Sequence, residues 1–361
     1  MTLFRKLYDT LRSTKLALAL LLVILATCIV GVTVFPAPVS KAIIFSSLWF
    51  NGLLVLLVLN VGFCFFGRIW RRKVTFISLG MILFHLSFVA LFLGIVYDSL
   101  FYFSGAIRLT EGETLEMAHP QSYDRAAWGR LFDHDARLKG RITLHRLYPK
   151  YEVKGENKGV ANEISVGIAP DVHRGMTYVT GHVMHKEMNY YRKKDGFSPL
   201  IIIWDKDGKE LYGAYSPIQS LKQDDGTYLY TTGTARGPGT IPFPQIPGEH
   251  PLIDLQFTYY PDKEKERTGE VLFQVQQFNP GSHSEMSAER FKGKAAFGEK
   301  VKAGEYLLSL NEVRYWASLD VRYNPGLPVI LTSFWVGLGG MVLTTGARFA
   351  QKKKQEGQRF S

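Results

Sequence analysis

The apolar residues of this chain fall into blocks. Residues 16–35, 43–66, 74–97 and 327–346 are nearly free of charge, and each is about as long as the ~20 residues a helix needs to cross a bilayer. Between the third and fourth blocks the pattern changes to short apolar runs broken by Gly and Pro. In "SPLIIIWDKDGKELYGAYS" (198–216) an Asp207-Gly208 turn signal separates two such runs, which predicts a hairpin. "PLIDLQFTYYPD", "GEVLFQVQQFNPG" and "GEYLLSLNEVRYWASLDVRYNPG" predict further strands, and "GPGTIPFPQIPGEHP" (237–251) reads as a long loop.

The expected fold is an integral membrane α-helical protein. Four transmembrane helices carry a large extracytoplasmic β-rich domain, an antiparallel sandwich or open barrel, between helices three and four. The expected parts are a membrane region (1–97), the β-rich domain (98–325), the fourth helix (326–347) and a basic cytoplasmic tail (348–361). The first block is longer than a signal-peptide core and shows no clear small-x-small cleavage site, so it is read as a retained span.

Charge then orients the spans. Of 43 Lys and Arg and 32 Asp and Glu, segment 98–325 holds 29 and 30, leaving 14 basic and only 2 acidic residues elsewhere. The excess flanks the spans, with Arg5, Lys6, Arg12 and Lys15 before the first, Arg68, Arg71, Arg72 and Lys73 between the second and third, and Arg348, Lys352, Lys353 and Lys354 after the fourth. The positive-inside rule puts both termini in the cytoplasm and 98–325 outside. A near-neutral exported segment argues against a nucleic-acid partner despite the net charge of +11. Both cysteines, Cys28 and Cys64, lie in the spans, so the exported segment has neither disulfide nor thiol chemistry, and no C-x-x-C-H haem-attachment motif is present.

Few polar residues interrupt the spans. Asn60, Cys64 and Arg68 recur every fourth residue and share one helix face, where a buried amide wants a partner on another helix. His85 is the one ionisable residue deep in a span, and no Asp or Glu lies between residues 16 and 97, which argues against a proton relay. A lone imidazole suits axial ligation of haem iron, with Phe88 and Phe92, three and seven residues on, as candidate pocket walls. The plain alternative is a histidine satisfied by a backbone carbonyl or a neighbouring helix. His119, His134, His145, His182 and His185 show no metal-ligand spacing and read as solvated.

Four stretches in order resemble the ResB family, the four-span component of System II, which attaches haem to apocytochrome c outside the bacterial membrane. They are "LRSTKLALALLLVILATCIVGV", "WFNGLLVLLVLNVGFCFFGR" with its Asn60, Cys64 and Arg68, "LFHLSFVALFLGIVYDSLFYFSGAIRLTEGE" and "VRYNPGLPVILTSFWVGLGGMVLTTG". The likeness covers the membrane part well and the exported domain weakly. Asn324, before Pro325 and Gly326, stands where the family often has Asp.

The resemblance implies that His85 is an axial ligand to a transient, transported haem b. It implies a CcsA-type membrane partner carrying the Trp-rich haem-handling segment, apocytochrome c as the client, and a bacterial inner-membrane location. On this reading the chain is an accessory subunit of a haem lyase rather than an enzyme by itself, and no residue is assigned a catalytic role. The competing expectation is a non-ligating scaffold that stabilises the partner and recruits apocytochrome c.

Overall fold

The computed structural model describes residues 8–66, 75–234, 236–246, 250–262, 264–265, 267–277 and 290–359. Four of its helices are long and apolar enough to cross a membrane, and a large β-rich region lies between the last two. The helices are named here α1 (Thr14–Thr33), α2 (Leu48–Val61), α3 (Phe76–Phe101) and α4 (Leu327–Arg359).

Local chemistry sets their ends. The block expected to start at residue 43 contains Ser46 and Ser47, and the Ser47 hydroxyl accepts the Phe50 N–H at 3.3 Å, so α2 begins at Leu48. The preceding Lys41–Phe45 forms a separate π-helical turn, and a second one, Gly62–Phe66, extends α2. A reciprocal capping box between Thr75 and Ser78 starts α3.

Helix α3 also runs four residues past its expected end at 97, to Phe101, because the polar Asp98 and Ser99 are satisfied inside it. Asp98 Oδ1 accepts the Gly326 N–H at 3.2 Å. Ser99 Oγ accepts from Asn51 at 2.8 Å and donates to the Phe45 carbonyl at 3.1 Å. The expected basic tail after residue 347 is likewise helical as far as Arg359, as its Lys, Gln, Glu and Arg content favours. Arg68 and the rest of the basic 67–74 joint lie outside the described residues.

Helices α3 and α4 meet along a seam of small residues. Gly80, Ser87 and Gly94, seven apart on α3, are buried. A Cβ on Gly80 would stand 2.4 Å from Thr344 Oγ1 and 2.7 Å from the Gly340 carbonyl, and one on Gly337 would stand 2.4 Å from Ser87 Oγ. Such contacts let the two backbones approach closely. Helices α1 and α2 instead share an apolar cluster of Leu20, Ile24, Phe50, Leu54 and Leu57.

The chain divides into two compact units, one holding the four long helices with 127–133, the other formed by Gly105–Ala126 and His134–Val321. The second unit is built of antiparallel hairpins. A seven-stranded sheet has the order Arg125–Trp128, Phe103–Thr110, Tyr306–Tyr323, Met188–Trp204, His182–His185, with two more strands on its side branches. A six-stranded sheet runs from Gln219–Lys222 through Tyr228–Thr231, Ile253–Pro261 and Gly269–Gln277 to Arg290–Ala296. Every second residue of their central strands enters one core, as in Ile201/Ile203, Leu255/Phe257/Tyr259 and Val271/Phe273/Val275. Each such side chain contributes roughly 1.5–3 kcal/mol of burial.

The expected β-rich region is therefore present, with one hydrophobic core fed by strands of both sheets. The 198–216 hairpin forms with Leu200 opposite Tyr215, its turn fastened by Asp205 Oδ1, which accepts from the Asp207 and Lys209 amides. A separate four-stranded sheet comprises Thr114–Glu116, Arg141–Val153, Glu156–Ile168 and Asp171–Thr177.

Two expectations need correction. Segment 237–251 is not a plain loop: Ile241–Phe243 pairs with Ile253–Leu255, because the Phe243 ring is a buried member of the hydrophobic core that its flanking prolines conceal. His185 is not solvated. It faces inward from the strand His182–His185, 8% exposed, while His182 faces out, the alternation a strand imposes.

Candidate functional site

His85 sits on α3, one turn beyond Met81. Its Nδ1 is 2.8 Å from the Met81 carbonyl oxygen. A carbonyl oxygen only accepts, so Nδ1 carries the hydrogen, which in a neutral imidazole puts the lone pair on Nε2. Ligating histidines commonly have their tautomer fixed in this way by a bond from the other nitrogen. Phe65, from the π-helical extension of α2, lies flat on the imidazole with ring centres 3.6 Å apart, and Phe84 meets its edge at 5.6 Å. The stack covers one face of the ring.

The two phenylalanines expected beside His85 have different neighbours. Phe88 is turned about 60° from His85 around the helix, which carries it toward α4. There it walls a small apolar cavity of 100 Å³ with Phe84, Ser87, Phe334 and Gly337, which His85 does not line. Phe92 packs against the α1–α2 cluster. Ring contacts of 4.8 Å (Phe84–Phe88) and 6.0 Å (Phe88–Phe92) link these phenylalanines into one row. The aromatic in face contact with His85 is thus Phe65. It was missed because a helical-spacing argument reads one helix at a time.

Asn60 is fully buried, and its amide does find partners across the bundle. Nδ2 donates to the Leu11 carbonyl at 2.8 Å and to the Ser13 carbonyl at 3.0 Å, while Cys64 Sγ lies 2.9 Å from the Arg12 carbonyl. The face bearing Asn60 and Cys64 thereby holds the segment leading into α1. The third residue of that face, Arg68, lies outside the described residues.

Asn324, Pro325 and Gly326 form the entry to α4. The Leu327 amide donates to the Asn324 carbonyl at 3.2 Å, and Gly326 packs so closely on α3 that a Cβ would stand 2.1 Å from the Gly94 carbonyl. The acidic group at this helix start comes from across the bundle, as Asp98. An anion there favours the helix dipole, so the site has a carboxylate although residue 324 is an amide.

Among the described residues no group of three or more His, Cys, Asp or Glu could hold a metal ion. One oriented imidazole can still occupy one axial position of a haem iron, because the porphyrin supplies the equatorial nitrogens. Compared with known proteins, the chain matches no family model and no curated protein.

Proposed function

We propose that this protein is the haem-handling membrane component of a cytochrome c assembly complex, acting with a CcsA-type partner. The observation that carries the reading is the fixed tautomer of His85. On a helix of membrane-spanning length, Nδ1 is committed to Met81 and Nε2 is left as a lone-pair donor. The ordered resemblance of the four apolar segments to the ResB family supports it.

In this reading α1–α4 cross the bacterial inner membrane, with both termini in the cytoplasm and the β-rich unit outside, as the basic flanks favour. Haem is the cargo. His85 holds one axial position of its iron and the partner supplies the other. Phe84, against the edge of the imidazole, provides an apolar surface for the porphyrin edge, and apocytochrome c takes the haem on the outer side.

A scaffold that ligates nothing is the second reading, favoured by the Phe65 stack, which could satisfy His85 as a packing residue. The visible spectrum of the purified complex with its partner separates the two. Loss of the Soret band in His85→Ala with assembly intact, restored by added imidazole, supports ligation. Equal haem in both complexes rejects it.

A further inference from the structure

Segment 127–133 interrupts the β-rich unit and belongs with the four long helices. It returns to the end of α3 and is fastened there. The Gly129 and Leu131 N–H groups donate to the Tyr102 and Leu100 carbonyls, each at 2.8 Å. Gly129 packs so closely that a Cβ would stand 2.3 Å from the Leu100 carbonyl oxygen. The Phe132 ring turns inward, stacked on Phe103 at 5.0 Å and beside Tyr323 at 6.0 Å.

The side chains that this fastening leaves outside suit a boundary between oil and water. Trp128 is 48% exposed and Leu131 54%, and Arg130 is exposed between them. Trp combines an apolar body with a polar N–H, so it favours a place where one end is apolar and the other wet.

Their level along the bundle identifies that place. Asn51 Nδ2 donates to Ser99 Oγ at 2.8 Å, which sets these two residues of α2 and α3 side by side. Consecutive spans run in opposite directions, so Trp49, two residues before Asn51, is level with Phe101, two residues after Ser99. Trp49 is itself half exposed. Leu100 and Tyr102 stand about 5 to 8 Å beyond Tyr97, where the apolar run of α3 ends. A headgroup layer of about 5 to 7 Å covers each side of the hydrocarbon core. Trp49 and Trp128 therefore share the level of a membrane interface, where tryptophan is enriched.

We infer that segment 127–133 is a lipid anchor. Trp128 and Leu131 lie in the boundary between headgroups and acyl chains of the outer leaflet, and Arg130 meets lipid phosphate. The inference rests on α1–α4 crossing the membrane and is independent of haem ligation by His85.

The test uses the full-length protein in phosphatidylcholine nanodiscs, in a Cys28→Ser/Cys64→Ser background, with single bimane labels. Leu131→Cys probes the segment, and Trp128→Cys, read in the same way, guards against a label that disturbs the fold. Leu25→Cys, near the middle of α1, reports on the span, and Lys206→Cys, in an exposed turn, serves as the aqueous reference. The two segment labels should be quenched several-fold more strongly by a headgroup-nitroxide lipid than the Lys206 label, and several-fold less by iodide. The Leu25 label should respond best to an acyl-chain nitroxide. If the segment labels are as open to iodide as Lys206 while Leu25 stays in hydrocarbon, the anchor is overturned and the span stands. Shielding from both lipid and iodide would mean that protein, such as a second copy of the chain, covers the segment, and also overturns it. A Leu25 label open to iodide removes the span and the anchor together.

Discussion

Phe65 lies on the face of the His85 imidazole with ring planes only 10° apart, although the two residues belong to different helical segments. The stack restrains rotation of a ring already tied to Met81, so it orients Nε2 without touching it. An aromatic pair of this kind is worth about 0.5–1.5 kcal/mol. In Phe65→Ala, haem retained by the purified complex should therefore fall by a few-fold to about tenfold, while Phe65→Trp keeps it. A wild-type Soret intensity in Phe65→Ala would show that the stack has no positioning role.

The seam between α3 and α4 predicts a sharp contrast between two glycines. Gly80→Val puts a branched side chain where even a Cβ meets Thr344 and the Gly340 carbonyl, so the helices must part, at about 1–3 kcal/mol or more. Nothing lies within 4 Å of a Cβ on Gly52. Gly52→Ala should be neutral or raise stability by up to about 1 kcal/mol through helix propensity. Thermal unfolding in detergent checks both, and similar midpoints for the two variants would mean that the seam does not hold the bundle.

The elements that the sequence made legible are those with a strong one-dimensional signal. Twenty apolar residues in a row mark α1, and the Asp-Gly turn marks the 198–216 hairpin. The ends of α2 and α3 were misplaced because hydropathy passes through the capping serine Ser47 and stops at Asp98, whose partner Gly326 is 228 residues distant. The α3–α4 seam was not read from the sequence, because the seven-residue spacing of Gly80, Ser87 and Gly94 does not say which helix lies opposite. His85 stood out as an ionisable group in an apolar run. Its neighbours did not, because Phe65 and the Met81 carbonyl are positioned by tertiary packing and helix geometry.

Asn60 predicts how the segment before α1 is held. Asn60→Leu keeps the volume roughly constant and takes the amide donor from the Leu11 carbonyl, leaving the Ser13 carbonyl only its bond from the Ala17 N–H, at a cost of about 1–3 kcal/mol. The segment should loosen and uncover Cys64, whose thiol lies against the Arg12 carbonyl. Maleimide labelling of Cys64 in a Cys28→Ser background should then accelerate, and an unchanged rate would show that the lead is held by other contacts.

His185 predicts a pH dependence in the β-rich unit. Its Nε2 is buried without a hydrogen-bond partner, and burial holds the imidazole below its ordinary value of 6.5. Asp171, 4.0 Å away, opposes that shift, while Lys186 and His173 reinforce it. Between the lowered folded value and 6.5 the unfolded chain binds more protons than the folded one, so stability rises with pH there and is lost as pH falls below about 6.5. Asp171 and Glu163 act in a separate window. Lys186 holds the Asp171 carboxyl below 3.8, and hydrogen bonds from Tyr148 and Arg174 outweigh burial to hold Glu163 below 4.5, so their contribution is lost only in stronger acid. Denaturant unfolding followed by tryptophan fluorescence should show a decline that begins near 6.5. His185→Phe should remove that first decline and keep the acid one. If the variant retains the slope below 6.5, another group carries it, and the buried imidazole is not what the unit titrates.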